Sequence, residues 1–292
     1  MARIKKYLSK DGTLRIAAVI STDLANEAFR HLEASPLAKT LMSRAITGAV
    51  LMASQMKEGL SLGLHFVGEG PIGSIFTEAR YEGKAKVYAE YRHATLPEGE
   101  THIGQGLGQG RLEVIRSLPF SKEPHRGTVT MLTGEIGDDI AYYLQQSQQI
   151  PCIVALSAIP NQEGVELAGG YILELMPGYT DETITKLERL QPLIGSVTKK
   201  LQEGREVEDL IDIYLDHFDF VAIEHPYDLH YECGCNLDRV ERSLLLLGPA
   251  MLDEMIDERE EAAINCEFCG KDYRLSTAEL QRLRSTLNQQ FH

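Results

Sequence analysis

Apolar and polar positions change period several times along the chain. LRIAAVI at 14–20 is a short apolar run closed by Ser21-Thr22-Asp23, which predicts a strand and not a signal peptide. Ser35-Pro36 then opens a predicted helix. The serine is placed to cap it, and the proline sits in the first turn, where its missing N–H costs nothing. Leu37, Leu41, Ala45, Val50 and Met52 give that helix an apolar stripe to about Lys57. From Leu60 to Tyr91 the period becomes two, with Gly68-Glu69-Gly70-Pro71 and Glu82-Gly83 as turns, so three antiparallel strands are expected. A strand follows Gly110, another covers Gly127–Thr133, and a helix covers Ile136–Gln148 with Asp138 and Asp139 in its first turn. Cys152–Ile159 and Val165–Met176 complete the pattern as two strands around a turn at 160–164.

Beyond residue 180 the pattern turns helical and polar. Ile184, Leu187 and Leu190 mark one amphipathic helix, ended by Pro192 and Gly195. Val207, Leu210, Ile211 and Tyr214 mark a second over Glu206–Leu215, and Phe218–Ile223 is extended. Isolated helices of this length are marginal in water, so these stripes must dock on something. Near the end, Asn236–Leu247 and Pro249–Glu258 read as two helices around Gly248, with Leu244, Leu247, Leu252, Met255 and Ile256 available to pack.

The chain has 292 residues, 43% hydrophobic and 25% charged, which is ordinary globular composition. Its net charge of −14 lacks the basic footprint of a nucleic-acid binder. No apolar run reaches the length of a membrane span, and a cytoplasmic location is expected. Charge is unevenly spread. Residues 1–180 carry 17 basic and 19 acidic side chains, whereas 181–230 carry 5 and 12. Four of five cysteines fall in the last 62 residues. The expected class is α+β in three parts: a mixed α/β body with antiparallel sheets at 1–178, an acidic helical linker at 179–230, and a small C-terminal cysteine-bearing domain at 231–292.

The candidate chemistry narrows quickly. Gly104-Gln-Gly106-Leu-Gly108 approximates a dinucleotide fingerprint, but the third glycine is one residue early and a strand follows where a helix is needed. A turn that needs positive φ explains it better. There is no phosphate-binding G-x-x-x-x-G-K-[ST] loop and no H-E-x-x-H pair. Cys152 opens an apolar strand and reads as a small buried hydrophobe. Cys233-Gly234-Cys235 and Cys266-Glu267-Phe268-Cys269-Gly270 are different. Two pairs of soft ligands converging from separate knuckles suit a closed tetrahedral Zn²⁺ site, and Gly270 allows the tight turn of the second. Four cysteines complete the shell, which leaves His225 and His230 as spare donors. A structural zinc knuckle, a redox-sensitive zinc centre and an iron–sulfur centre all remain open on these residues alone.

C-x-C, thirty residues and C-x-x-C, with CEFCGKDYRL at 266–275, resembles the Hsp33 family of redox-regulated 33 kDa chaperonins. The stretch Gly127–Gly134 followed by Glu135-Ile-Gly-Asp-Asp-Ile-Ala-Tyr-Tyr143, and Ser147-Gln148-Gln149, carry the resemblance through the body. A glycine between the first two cysteines departs from the bulkier or acidic residue often expected there. The resemblance implies a non-enzymatic, ATP-independent holdase that binds unfolding proteins under oxidative stress. It implies one Zn²⁺ per chain on Cys233, Cys235, Cys266 and Cys269 when reduced. It implies disulfides Cys233–Cys235 and Cys266–Cys269, with zinc release, when oxidised. It further implies a homodimer on activation and delivery of clients to ATP-dependent foldases. A constitutive zinc-containing interaction module and a thiol–disulfide oxidoreductase are the alternatives. The first would keep its zinc in peroxide, and the second would turn over without losing a metal.

Overall fold

The computed structural model describes residues 2–30, 32–118, 123–194, 196–204, 206–258 and 261–290. The chain divides into two compact units, residues 1–232 and 233–292.

In the first unit, β1 (Lys5–Ser9) and β2 (Leu14–Ile20) form a hairpin, followed by helices α1 (Thr22–Phe29) and α2 (Pro36–Ser54). Ser35 accepts the Ala38 N–H at 3.2 Å, so α2 begins as its sequence predicts. The expected single apolar stripe is corrected: seventeen of the nineteen residues of α2 are buried. The helix is enclosed because its small residues let neighbours approach; a Cβ at Gly48 would lie 2.5 Å from Ile140 Cδ1. Next come β3 (Ser61–Gly68), β4 (Ser74–Arg80) and β5 (Lys84–Ala89), the expected antiparallel meander. The glycine cluster forms a short 3-10 turn at Ile103–Gly106 and a positive φ of 68° at Gly108, then β6 (Gly110–Ser117) begins. Strand β7 (His125–Met131), helix α3 (Ile136–Gln148), and strands β8 (Cys152–Pro160) and β9 (Val165–Leu175) follow. Asp139 accepts the Leu132 N–H at 2.7 Å and so ties α3 to the preceding turn.

The acidic segment folds onto this body as α4 (Asp181–Ile194), α5 (Val197–Glu203), a 3-10 turn at Val207–Leu210, α6 (Asp212–His217), and strands β10 (Phe220–Ile223) and β11 (His230–Tyr231). Two expectations change here. Pro192 stands inside α4, where the carbonyl it frees belongs to exposed Glu188 and is open to water; Gly195 lies outside the described residues. The helix expected over 206–215 breaks at Ile211, after a capping box between Glu206 and Asp209 tightens its first turn.

Two sheets result, ordered β10-β1-β2-β9-β8 and β11-β5-β4-β3-β6-β7. The five-stranded sheet is apolar on both faces. Ala17, Val19 and Ile172 join the large core around α2, while Leu14, Ile16, Ala18, Tyr171 and Leu173 face the other way. That second face is covered by Leu187, Leu201, Leu210, Ile211 and Tyr214, all buried.

The second unit holds α7 (Leu237–Leu246), α8 (Pro249–Glu258), the hairpin of β12 (Glu261–Asn265) and β13 (Asp272–Ser276), and α9 (Thr277–Gln290). Asn236 caps α7 through the Arg239 N–H at 2.9 Å, and Gly248 turns the chain with φ 87°. Leu244, Leu252, Ala262, Leu275, Leu280, Leu283 and Leu287 form its small core. Leu247, expected to pack there, is 56% exposed: it follows α7 as the chain enters the Gly248 turn.

Candidate metal centre

The hairpin β12–β13 positions one cysteine pair. Cys266 follows β12, and its carbonyl accepts the N–H groups of Cys269 at 3.2 Å and Gly270 at 2.7 Å. Gly270 has φ 67°, a conformation an L side chain adopts only with strain, so the glycine after the second thiol closes the knuckle. Asn265 Nδ2 donates to the Gly270 carbonyl at 2.9 Å and to Asp272 Oδ1 at 2.8 Å, clamping the turn from outside. The other pair spans a single residue. Gly234 has φ 66°, which bends the backbone and turns both flanking sulfurs inward.

All four sulfurs lie within 4.8 Å of one another. Two contacts run between knuckles: Cys233 to Cys266 and Cys235 to Cys269, each 3.4 Å. A tetrahedral Zn–S length of about 2.3 Å requires sulfurs at about 3.8 Å, so this set of soft donors fits the ion closely. Among the described residues, no other histidine, cysteine or carboxylate joins the cluster. His225 is buried in the first unit, edge-on to Tyr81 and Tyr227 at 5.1 and 5.9 Å. His230 is exposed in β11. Cys152 is half-buried, and burial with the nearby Glu174 charge pushes its thiol up to about 12, the reading of an inert cysteine.

Tyr273 escaped the sequence reading. Its hydroxyl donates to Cys235 Sγ at 3.0 Å, and Lys271 Nζ lies 5.0 Å from its ring centroid. Burial acts to raise the Cys235 thiol, but the hydrogen bonds from Tyr273 and the neighbouring thiols outweigh it and bring it down to about 7. Burial raises Cys233 and carries Cys269 to about 11. The one available signal was position: Tyr273 alternates with Asp272 and Arg274 in a strand that starts beside the knuckle.

In the first unit, the covered sheet face is held by few polar ties. Tyr7 donates to Glu208 Oε1 at 2.9 Å, and Ser157 and Thr198 hydroxyls meet at 2.7 Å. Lys5 pairs with Glu208 at 3.3 Å, while Lys200 bonds Asp212 and the Asp209 carbonyl within the covering segment itself.

A family model for the Hsp33 protein matches residues 3–276. The chain belongs to the Hsp33 family. Relatives named 33 kDa chaperonin include that of Geobacter sulfurreducens, 34% identical over 97% of this chain and 94% of its own. That of Caldanaerobacter subterraneus subsp. tengcongensis is 36% identical over 96% of each chain. Among solved structures, the heat shock protein 33 homolog of Thermotoga maritima aligns with TM-score 0.86 and 26% identity, covering 98% of this chain and 99% of that one. The mixed α/β body with antiparallel sheets and the C-terminal cysteine cluster is therefore the Hsp33 fold. The cluster fits metal binding in this family, and no helix among the described residues is long and apolar enough to cross a membrane.

Proposed function

We propose that this chain is an ATP-independent, cytoplasmic holdase whose client surface is gated by thiol oxidation. The observation that carries the reading is the closed set of four sulfurs within 4.8 Å, assembled by a unit of about sixty residues whose apolar core is a cluster of seven buried side chains among the described residues. Cys233, Cys235, Cys266 and Cys269 would hold one Zn²⁺, and the bound ion supplies charge compensation that keeps four thiols as oxidisable thiolates. Structural zinc sites are worth on the order of 10 kcal/mol, whereas a domain this small has only about 5 kcal/mol of stability. Oxidation therefore decides whether the small unit stays folded.

Each disulfide forms from two thiolates that pass two electrons to the oxidant; with peroxide, the O–O bond breaks and, with two protons taken up from solvent, two waters leave. The proposed partners within each knuckle, Cys233–Cys235 and Cys266–Cys269, stay neighbours after the unit unfolds, because only one or two residues separate them. The functional parts are then a body at 1–178, a gate at 179–230 and a sensor at 231–292. The chain runs from the gate through Tyr231 and Glu232 directly into Cys233, so unfolding of the sensor leaves that end of the gate continuous with a disordered segment. Release of the gate uncovers Leu14, Ile16, Ala18, Tyr171 and Leu173, an apolar sheet face for unfolding polypeptide. The net charge of −14 keeps the open form soluble. Dimerisation on activation and hand-over to ATP-dependent foldases follow from the family resemblance, and binding without turnover makes the protein no enzyme.

The test is a peroxide titration that follows zinc release and light scattering of an unfolding client together. The expected result is that aggregation suppression rises with zinc release. Suppression by the reduced, zinc-loaded protein, or complete zinc release without suppression, overturns the reading.

A further inference from the structure

The gate does more than lie on a sheet face; it also contributes a strand. β10 begins two residues after α6 and is the outermost strand of the five-stranded sheet, paired only with β1. The register sets Lys6 opposite Ile223, Leu8 opposite Val221 and Ser9 opposite Phe220. Lys10 N–H donates to the Asp219 carbonyl at 2.8 Å, which makes Lys10 and Asp219 a hydrogen-bonded pair. Antiparallel pairs alternate, so Leu8–Val221 and Lys6–Ile223 are hydrogen-bonded too, while Phe220 and Ala222 turn their amides outward. The side chains of β10 bury little: Val221 is 52% exposed and Ile223 38%. Phe220 meets Tyr7 and Phe218 edge-on at 6.5 and 6.2 Å. What fixes this strand is mainly its backbone.

We propose that β10 occupies, in the closed molecule, a backbone edge on β1 that takes an extended apolar segment of an unfolding chain once the gate leaves. The inference rests on the holdase reading and names the chemistry of its client contact. Removing β10 leaves the amides and carbonyls of Lys6 and Leu8 without partners, an open edge that templates pairing with any extended chain. The segment that fills it now, FVAI, shows the fit: aromatic and β-branched residues, the composition of strands that unfolding proteins expose. The edge is also basic. Lys5 lies 3.3 Å from Glu208 and Lys10 3.8 Å from Asp219, so loss of the gate takes acidic partners from both lysines. Acid-flanked apolar segments are thus preferred. Main-chain recognition explains how one surface takes many sequences, since every residue but proline offers the same two groups.

The test uses the full-length protein, reduced with zinc and fully oxidised, and a blocked fluorescent peptide, DFVAIE, matching residues 219–224. Binding is read by anisotropy without client. The expected result is binding to the oxidised form and at least about tenfold weaker binding to the reduced form, where β10 fills the edge. N-methylation at the valine and isoleucine removes the amides that face β1 and should weaken binding about tenfold or more. N-methylation at the phenylalanine and alanine, whose amides face outward, should leave it within about twofold. Excess peptide should then restore client light scattering. Equal binding by the two methylated peptides, or redox-independent binding, overturns the inference while leaving the holdase reading intact. Peptide binding that dissociates a dimer in sedimentation without displacing client assigns the edge to a second copy and also overturns it. Failure of the oxidised protein to suppress aggregation at all instead defeats the holdase reading, and the client assignment with it.

Discussion

The hydroxyls of Tyr171 and Tyr214 lie 3.3 Å apart, with ring centroids at 5.7 Å in an edge-to-face contact, and both side chains are buried. Tyr171 belongs to β9 and Tyr214 to α6, so this pair joins the body to the acidic segment that covers it. Burial raises both phenols above their usual range, which keeps them neutral hydrogen-bonding groups at physiological pH. The seam is therefore mostly apolar and depends on packing.

Leu210, 1% exposed, is the point at which to test that packing. Leu210→Ala should cost about 2–5 kcal/mol locally. We expect partial aggregation suppression by the reduced variant with one zinc still bound, and faster proteolysis within 179–230. If proteolysis rises but suppression still waits for peroxide, gate release is insufficient and the oxidised sensor captures clients directly.

Asp212 is the contrasting position. Its side chain is 58% exposed yet pairs with Lys200, so it is not an idle solvent-facing group. Exposed pairs of this kind are worth about 0–1 kcal/mol, and Asp212→Ala should remain inactive when reduced. The pair lies within the gate, between α5 and α6, so it steadies the gate's own fold and does not tie it to the body; light scattering beside the Leu210 variant reads which of the two matters.

Metal content separates ligands from bystanders. Cys152→Ser should retain one zinc per chain, and Cys235→Ser should not. Tyr273→Phe should keep the stoichiometry but lower affinity in chelator competition by about tenfold or more, because Tyr273 orients Cys235 through its hydrogen bond. Unchanged affinity would make that tyrosine a packing residue only.

Disulfide connectivity tests the order of oxidation and unfolding. In the folded unit, sulfurs of different knuckles already touch, Cys233–Cys266 and Cys235–Cys269 at 3.4 Å. Peptide mapping of acid-quenched, fully oxidised protein should nevertheless give Cys233–Cys235 and Cys266–Cys269. Dominant cross-knuckle bridges would mean that the sulfurs pair before the unit opens.

His225 should make the body acid-sensitive. Burial first, and the nearby Lys6 charge second, lower its pKa below 6.5, and neither ring nitrogen has a hydrogen-bond partner among the described residues. Besides Lys6, the ring is flanked by Tyr81 and Tyr227, the latter bonded to Glu58. Below about pH 6.5 the unfolded chain takes up a proton that the folded site resists. The site's contribution to stability is thus complete above that pH and falls as acid is added. In urea melts from pH 8 to pH 5, the stability of the wild type relative to His225→Leu should fall as acid is added; parallel curves would remove His225 as the cause.

Much of this was legible without coordinates. Leu14–Ile20 and Ile136–Gln148 match their expected bounds, and Ser35 caps α2 as its type and position foretell. Of the two apolar stripes, Leu187 and Leu190 in one and Leu210, Ile211 and Tyr214 in the other are buried, while Ile184 and Val207 are half-buried. Local chemistry decides these features, because period, caps and breakers act within a few residues. Strand β1, helices α1, α5 and α9, and the hairpin β12–β13 were not read from the sequence. KKYLS carries too many charges to announce a strand, and becomes one because β2 and β10 pair with it on both sides.

The sequence by itself determined the chemistry of the centre: four soft ligands in two knuckles, each with a glycine where the backbone needs positive φ. It also determined that the acidic helices carry apolar stripes needing a partner. Only the tertiary structure decided what that partner is, and that the same segment closes a sheet edge. It brought the four sulfurs within 4.8 Å, set Tyr273 on Cys235, and laid Tyr214 against Tyr171. Such contacts join residues tens to more than two hundred positions apart, as with Lys6 and Ile223, and no local period encodes which distant surface a stripe will meet.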